Sequence, residues 1–247
     1  MYDNNQLKNK INTSGYFVYR NYFNKEFALK VVEEINEAKN TVKYFDNNNN
    51  LRRVEKLYDK GPNLILLNKK ILIILNDILG EEFTIFKDKF NSKPPGGEGF
   101  FAHYDGIFQF LDQNSIKKNG WYEYGDYFIN VLVALDKCDK KNGTIEISES
   151  HLGNFNDLLR NTKMDGTPAL NEEIEKKIKF KTINLDIGDM VFFLHTCPHR
   201  SKKNNSNKSR KIIYYTYNLN KFGSKYDLYF EDKKKSKNSS KALVEKK

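Results

Sequence analysis

The hydrophobic and polar positions in the first third of the chain predict a short strand followed by two helices. Residues 16–19 form a continuous aromatic and β-branched run, which is typical of a strand. Behind Asn24, a residue type that caps helix N-termini, apolar side chains recur at helical spacing at positions 27, 31, 35 and 38. A polar loop at 46–50 separates this helix from a second one over residues 68–79, which Gly80 ends.

From residue 83 onward the pattern changes to strands. Apolar or alternating segments, bounded by turn residues such as Pro94-Pro95-Gly96-Gly97 and Asn142-Gly143, predict seven strands. They cover residues 83–91, 99–105, 127–135, 144–148, 179–185, 190–195 and 210–218. Several strands behind two helices indicate a mainly β fold with flanking helices, and specifically a jelly-roll barrel.

Length and charge predict one domain with a basic tail. A chain of 247 residues with 18 Phe and 15 Tyr has enough apolar area for one core, which we expect over residues 1–232. The formal net charge is +10, but residues 233–247 contain seven Lys and one Glu and carry +6 of it. We expect this tail to be disordered, and a nucleic-acid partner to be improbable because so little basic charge belongs to the domain.

The cysteines and the N-terminus predict a cytoplasmic protein. Cys138 and Cys197 are the only two cysteines, and their spacing fits neither a disulfide framework nor a zinc knuckle. The first residues lack the basic and apolar regions of a signal peptide, and no apolar run approaches the roughly 18 residues of a membrane span.

The segment His103-Tyr104-Asp105 lies on a predicted strand, where residues i and i+2 point to the same face. The imidazole and the carboxylate can therefore reach one ion, with His195 or His199 as the third ligand. Two histidines and one carboxylate leave three positions open, which suits non-haem Fe(II) that binds a co-substrate and O2. The same ligands also suit Zn²⁺, so a zinc hydrolase is an alternative.

Arg210 begins an apolar strand after the polar segment that follows His199. A buried guanidinium there can bind a carboxylate through two hydrogen bonds. The distal carboxylate of 2-oxoglutarate requires such a partner, and the Ser201 hydroxyl is a further candidate donor. The zinc-hydrolase alternative gives Arg210 no role. A nucleic-acid-binding alternative would use the basic tail with Lys202, Lys203 and Lys208.

Taken together, these motifs resemble those of the phytanoyl-CoA dioxygenase family. The C-terminal signature of that family is similar to a series of residues in this chain. The series is Gly188-Asp189 with the following apolar strand, then His199-Arg200-Ser201, Asn204 and Arg210. Upstream, the run from Asn91 through Pro94-Pro95-Gly96-Gly97 to His103-Tyr104-Asp105 resembles its first ligand motif. Ala134-Leu135-Asp136 and Asn142-Gly143 resemble its central strands. The resemblance covers roughly residues 83 to 218.

The resemblance implies a double-stranded β-helix, a cupin-like barrel, with Fe(II) held by His103, Asp105 and His199. It favours His199 over His195, and it implies that Arg210 and Ser201 anchor 2-oxoglutarate, with O2 as the other co-substrate and ascorbate as a supporting reductant. Lys87 and Asn91 match positions that contact the co-substrate near its chelating end. Related halogenases have a small residue in place of the carboxylate, so Asp105 implies hydroxylation.

Two segments depart from the family pattern. Tyr104 replaces the usual Gln, and Ser148-Glu149-Ser150-His151 replaces Pro-Gly-Ser-His. Both changes could reshape the substrate pocket, although His151 fits a structural role better than a substrate contact.

The segment after Asp105 has two structural interpretations. With Phe108, Phe110 and Trp121 it predicts either a lid or packing at the barrel rim. For the substrate, the resemblance favours a small polar molecule, such as an anion of the aminoalkylphosphonate type. An acyl-CoA is the alternative.

Overall fold

The structure, a computed structural model, describes residues 3–149, 153–235 and 244–245. Its helices are α1 (Asn4–Ser14), α2 (Lys25–Glu37), α3 (Pro62–Leu79), α4 (Phe155–Arg160), α5 (Glu172–Lys177) and α6 (Tyr226–Lys235). Its strands are β1 (Tyr16–Tyr19), β2 (Val42–Phe45), β3 (Leu51–Glu55), β4 (Phe83–Lys93), β5 (Phe100–His103), β6 (Phe110–Leu111), β7 (Lys117–Lys118), β8 (Phe128–Ala134), β9 (Ile145–Ile147), β10 (Lys181–Thr182), β11 (Met190–Leu194), β12 (His199–Ser201), β13 (Arg210–Leu219) and β14 (Val244–Glu245).

Two facing antiparallel sheets form the barrel. The major sheet has the order β1-β11-β8-β13-β4-β3-β2-β14, and the minor sheet has the order β10-β9-β12-β5. Between them, buried side chains of both sheets form one apolar cluster, with Leu132 and Val191 from the major sheet and Ile145 and Ile147 from the minor one. This packing confirms the predicted jelly-roll class and leaves one end of the space between the sheets for polar residues.

Helices α1, α2 and α3 cover the outer face of the major sheet. Buried Ile11, Val31 and Ile71, one from each helix, belong to the same core cluster as Phe90 and Ile213 of the sheet. The predicted cap of α2 is confirmed, because the Asn24 side chain accepts a hydrogen bond from the Phe27 N–H at 2.9 Å. Such caps typically contribute about 1 kcal/mol.

Some elements differ from the sequence-based boundaries. Helix α3 begins at Pro62, six residues before the predicted start, because proline is favoured in the first helical turn. The predicted strand at 179–185 shortens to β10, followed by a bridge between Leu185 and Cys138. The loop at 46–50 is confirmed, but it joins β2 to β3, a hairpin that the apolar pattern did not predict.

The C-terminal boundary also differs. Residues 233–235, assigned to the tail from the sequence, form the last turn of α6, and the Lys233 ammonium pairs with Glu55 at 2.5 Å. Strand β14 pairs with β2. The rest of the predicted tail lies outside the described residues. In the part of the chain that is described, no helix has the length and apolar character needed to cross a membrane.

Candidate active site

His103, Asp105 and His199 lie together at the polar end of the barrel. Strands β5 and β12 are neighbours in the minor sheet, and their register places His199 directly opposite His103. Asp105 follows β5 by two residues, and its backbone N–H donates to the His195 carbonyl at 2.9 Å. One ligand atom from each of the three side chains lies within 4.8 Å of the others. The structure therefore brings the predicted ligand set to one point.

Hydrogen bonds fix the orientation of both imidazoles. His103 Nδ1 lies 3.0 Å from the Phe101 carbonyl, and His199 Nδ1 lies 3.0 Å from the Cys197 carbonyl. Because a carbonyl only accepts, each Nδ1 carries the proton and each Nε2 keeps its lone pair. The two Nε2 atoms lie 3.8 and 3.5 Å from the Asp105 carboxylate oxygens. This arrangement matches metal ligation, in which the second ring nitrogen is tied to an acceptor.

Burial keeps these imidazoles neutral. It lowers the pKa of His103 to about 3, with further lowering from His199, and it lowers the pKa of His199 as well. Burial alone would raise the pKa of Asp105, but the positive charges around it, including Lys87 and Lys89, hold that pKa well below its usual range. Neutral imidazoles and an ionised carboxylate are the forms that bind a divalent cation.

His195, the alternative third ligand, directs its ring nitrogens to other partners. Its Nδ1 lies 3.1 Å from the Phe128 carbonyl, and its Nε2 lies 3.4 Å from the Tyr122 hydroxyl. These contacts join the end of β11 to β8 and to the single-turn helix Gly120–Glu123. Only His103, Asp105 and His199 form a potential metal-binding group among the described residues.

Asn130 is a site residue that the sequence analysis missed. Its Nδ2 donates to Asp105 Oδ2 at 3.0 Å, and its Oδ1 accepts from Thr216 Oγ1 at 2.7 Å. Both Asn130 and Thr216 are almost completely buried. The available sequence signal was that Asn130 is the one polar residue in the wholly buried strand β8.

Arg210 and Ser201 are the two residues predicted to anchor the co-substrate. Arg210 is only 4% exposed, and within the described chain its buried Nε has no hydrogen-bond partner. It is paired in register with Lys93 across β13 and β4. The Lys93 ammonium donates to Ser201 Oγ at 2.9 Å and to the Gly143 and Lys202 carbonyls at 3.2 and 2.6 Å. Because Lys93 fills an acceptor position of Ser201, the hydroxyl proton is free for another acceptor.

Alternate residues of β4 add a polar row on the inner side of the major sheet. In the register with β13, Lys87 pairs with Thr216 and Asn91 pairs with Ile212. The Lys87 ammonium lies 3.8 Å from the centre of the Trp121 ring, and Asn91 Oδ1 accepts from Arg53 Nε at 3.4 Å. The structure thus places both predicted residues on the sheet that carries Arg210.

Tyr104, which departs from the family pattern, and Trp121 of the predicted lid segment lie in different parts of the structure. Tyr104 is buried beside Ile107 and Leu158, so it belongs to the packing of the minor-sheet side. Trp121 is 5% exposed and packs against Phe86 and Phe128. His151 lies outside the described residues.

The hairpin formed by β6 and β7 occupies the predicted lid segment. In it, Phe108 and Phe110 stack on each other at a ring distance of 5.7 Å. Leu111 and Ile116 of the same segment are exposed.

Sequence comparison with known proteins finds a matching family and named relatives. The sequence model of the family described as "Phytanoyl-CoA dioxygenase (PhyH)" matches residues 22–212. The chain is 29% identical over 201 residues to a 2-aminoethylphosphonate dioxygenase from Uncultured bacterium HF130_AEPn_1, covering 78% of this chain and 70% of the relative. It is 27% identical over 180 residues to a methylphosphonate hydroxylase from Gimesia maris, covering 72% of this chain and 62% of that relative.

Solved structures share the fold. The epimerase SnoN in complex with Fe3+, alpha ketoglutarate and nogalamycin RO superposes with a TM-score of 0.69 at 14% identity, over 98% of this chain and 93% of that one. EctD from S. alaskensis with 2-oxoglutarate and 5-hydroxyectoine has a TM-score of 0.66 at 16% identity, over 87% of this chain and 75% of that one. At these identities the likeness concerns the fold, which is the predicted jelly roll.

Proposed function

The chain belongs to the phytanoyl-CoA dioxygenase family of iron- and 2-oxoglutarate-dependent oxygenases, and on this basis we propose that it hydroxylates a small anionic metabolite of the phosphonate class. The observation that carries the proposal is the buried His103, Asp105 and His199 set, whose ligand atoms converge within 4.8 Å. We assign these three residues as the iron ligands.

The donor set fits Fe(II). Two neutral imidazole Nε2 atoms and one carboxylate are the facial ligands of non-haem iron, and each Nδ1 is held by a backbone carbonyl. Bound iron would supply the oxidation in which one O2 and one 2-oxoglutarate are converted, with the substrate C–H, to succinate, CO2 and the C–OH product. The protein's part is to hold both organic molecules and to keep water away from the reacting atoms.

We assign Arg210 to the distal carboxylate of 2-oxoglutarate. Its buried Nε–H has no partner among the described residues, and a buried N–H group normally has one. Ser201 contributes its hydroxyl proton, which Lys93 leaves free. We propose that Asn91 and Lys87, on the same sheet, contact the metal-chelating end of 2-oxoglutarate. Ascorbate is a supporting reductant in this proposal.

The proposed substrate class rests on the relatives and on charge. Two relatives are named for phosphonates, and a third, from Stutzerimonas stutzeri, is described as a probable hypophosphite dioxygenase and is 26% identical over 160 residues. Lys89 and Arg53 add positive charge to the inner side of the sheet. A small anion suits this environment better than an acyl-CoA chain. We also propose a cytoplasmic location, which the two buried, unlinked cysteines support.

The test is succinate formation by the purified, chelator-treated chain with Fe(II), ascorbate and 2-oxoglutarate, in the presence of 2-aminoethylphosphonate or methylphosphonate. We expect succinate to require iron, to be lost in His103→Ala, and to be strongly reduced in Arg210→Ala at 2-oxoglutarate concentrations that do not saturate the variant. Arg160→Ala is the control, because that side chain is exposed on α4.

Each outcome has a defined meaning. The absence of both succinate and 2-oxoglutarate binding would overturn the dioxygenase proposal. Coupled turnover of an acyl-CoA, with no phosphonate hydroxylated, would overturn the substrate class alone.

A further inference from the structure

A small pocket lies between the major sheet and α6. Its volume is about 190 Å³, and Arg53, Glu55, Lys87, Lys89, Tyr229 and Lys233 line it. Pockets for drug-sized ligands typically measure about 300–1,000 Å³. The pocket is therefore sized for a group of a few atoms and not for an acyl chain.

The pocket carries an excess of positive charge. Glu55 is one of its two acids, and this buried carboxylate is shared by Lys233 at 2.5 Å and Arg53 at 3.7 Å. Asp88 also borders the pocket, but its carboxylate accepts the backbone N–H groups of residues 56–58. Arg53, Lys87, Lys89 and Lys233 together therefore exceed Glu55 and Asp88 by two formal positive charges, which a doubly negative ligand would balance.

Lys89 is a second cation on the inner side of β4, two residues after Lys87. It is half-buried, its ammonium lies 4.8 Å from the centre of the Tyr214 ring, and burial followed by repulsion from Arg53 lowers its pKa to about 8. A buried ammonium in this setting gains more from an arriving anion than an exposed lysine does.

The pocket is linked to the proposed iron ligands through the major sheet. Lys87, which lines the pocket, pairs in register with Thr216, and Thr216 donates to Asn130, which donates to Asp105. The charges of Lys87 and Lys89 also act on Asp105, whose pKa they lower. An anionic group in the pocket would therefore hold the rest of a small molecule near the ligand set.

We propose that this pocket binds the doubly negative phosphonate group of the substrate, with Lys89, Arg53 and Lys233 as its ligands, so that α6 is part of the substrate site. The inference rests on the proposed function and adds the residues that select the anion. Residues Tyr226–Lys235 lie beyond the 22–212 that the family model matches, so Lys233 is a contribution of this chain's own C-terminal region.

The chain contains a built-in reporter for this pocket. Trp121 is its only tryptophan, and the Lys87 ammonium, which lines the pocket, lies 3.8 Å from the centre of the Trp121 ring. An anion that enters the pocket changes the field at the indole, so tryptophan fluorescence follows binding without any turnover.

The experiment is a fluorescence titration with methylphosphonate of the anaerobic, Fe(II)-loaded full chain at saturating 2-oxoglutarate. We expect Lys89→Met and Lys233→Met each to weaken phosphonate binding at least tenfold, and by at least ten times more than they change 2-oxoglutarate affinity in calorimetry. Lys233→Arg keeps the charge and should retain most of the affinity. Lys234→Met, an exposed neighbour on α6, is the matched control.

The outcomes separate the two proposals. An enzyme that forms succinate with iron and 2-oxoglutarate, yet binds methylphosphonate equally well in wild type and both methionine variants, overturns the pocket and leaves the proposed function standing. Phosphonate binding that depends on Lys89 and Lys233, in a chain that neither binds 2-oxoglutarate nor forms succinate, supports the pocket and overturns the oxygenase. Circular dichroism of each variant checks that it is folded. If Lys233→Met does not fold, Lys89→Met and Lys233→Arg still test the pocket.

Discussion

Asn130 donates a hydrogen bond to Asp105 across the space between the two sheets, from Nδ2 to Oδ2 at 3.0 Å. Thr216 Oγ1 donates to the other end of the Asn130 amide at 2.7 Å, so the orientation of the amide is determined from both sides. Asp105 Oδ2 is also the oxygen that lies 3.5 Å from His199 Nε2. Asn130 thereby positions one oxygen of the carboxylate relative to the imidazole.

We expect Asn130→Ala to weaken Fe(II) binding by about 10- to 100-fold, because partners of metal ligands typically have effects of this size. Thr216→Val should have a smaller effect, since Asn130 can then still donate to Asp105. Chelator competition measures the affinity. Asn220→Ala, which removes an exposed hydrogen bond to Glu82, is the control. Equal iron affinities in wild type and Asn130→Ala would rule out this positioning role.

Arg210→Ala should raise the KM for 2-oxoglutarate by about 10- to 100-fold, since a hydrogen-bonded charge contributes about 1.5–3 kcal/mol. Arg210→Lys should recover part of this loss, because it keeps the charge but not the planar pair of donors. Initial rates at several 2-oxoglutarate concentrations give the value. Iron affinity serves as the control, and if it falls as much as 2-oxoglutarate affinity does, Arg210 acts on the whole fold and not on the co-substrate.

Lys93 is expected to act through Ser201. Lys93→Met removes the donor to Ser201 Oγ and to two backbone carbonyls, so it should destabilise the fold by about 1–3 kcal/mol and raise the KM for 2-oxoglutarate several-fold. Ser201→Ala should reproduce the change in KM with a smaller loss of stability. Urea unfolding and initial rates measure the two effects. A normal KM in Ser201→Ala would show that the hydroxyl does not contact the co-substrate.

The parts of the site that the sequence predicted are those that follow from local geometry. His103 and Asp105 share a face because of the strand period of two, and Arg210 was recognised at the start of an apolar strand. The contacts of Asn130 and Lys93 depend on cross-strand register between segments far apart in the chain. One sequence does not fix that register.

The β2–β3 hairpin was missed for a related reason. Arg53 and Glu55 point into the pocket, so the apolar alternation that marks an ordinary strand is absent there. The same pocket explains the error at the C-terminus, because Lys233 was assigned to a solvated tail but pairs with the buried Glu55. In both places polar residues face inward, which is where pattern-based prediction fails and where sites are found.

Asp88 should be important for stability and not for chemistry. Its carboxylate accepts the N–H groups of Lys56, Leu57 and Tyr58 at 2.6–2.8 Å, and the Tyr226 hydroxyl of α6 at 3.1 Å. Each buried donor left unpaired costs about 1–3 kcal/mol, so Asp88→Ala should lower the free energy of unfolding by about 3–5 kcal/mol. Asp88→Asn should cost less, because one carbonyl oxygen remains. Urea unfolding tests this, with the exposed Asp77→Ala as control.

Phosphonate affinity should fall as the pH rises through about 8, the pKa to which burial and Arg53 lower Lys89. The charged groups around Lys89 are Arg53, Glu55, Lys87, Asp105 and Lys233. Binding of the phosphonate dianion requires the ammonium, so the contribution of Lys89 is present below this pKa and is lost above it, by up to about tenfold per pH unit for one linked proton. The KM for methylphosphonate at pH 7 to 9 measures the effect. Lys89→Arg, which stays charged over this range, should remove the dependence, and an identical rise in that variant would assign the titration to another group.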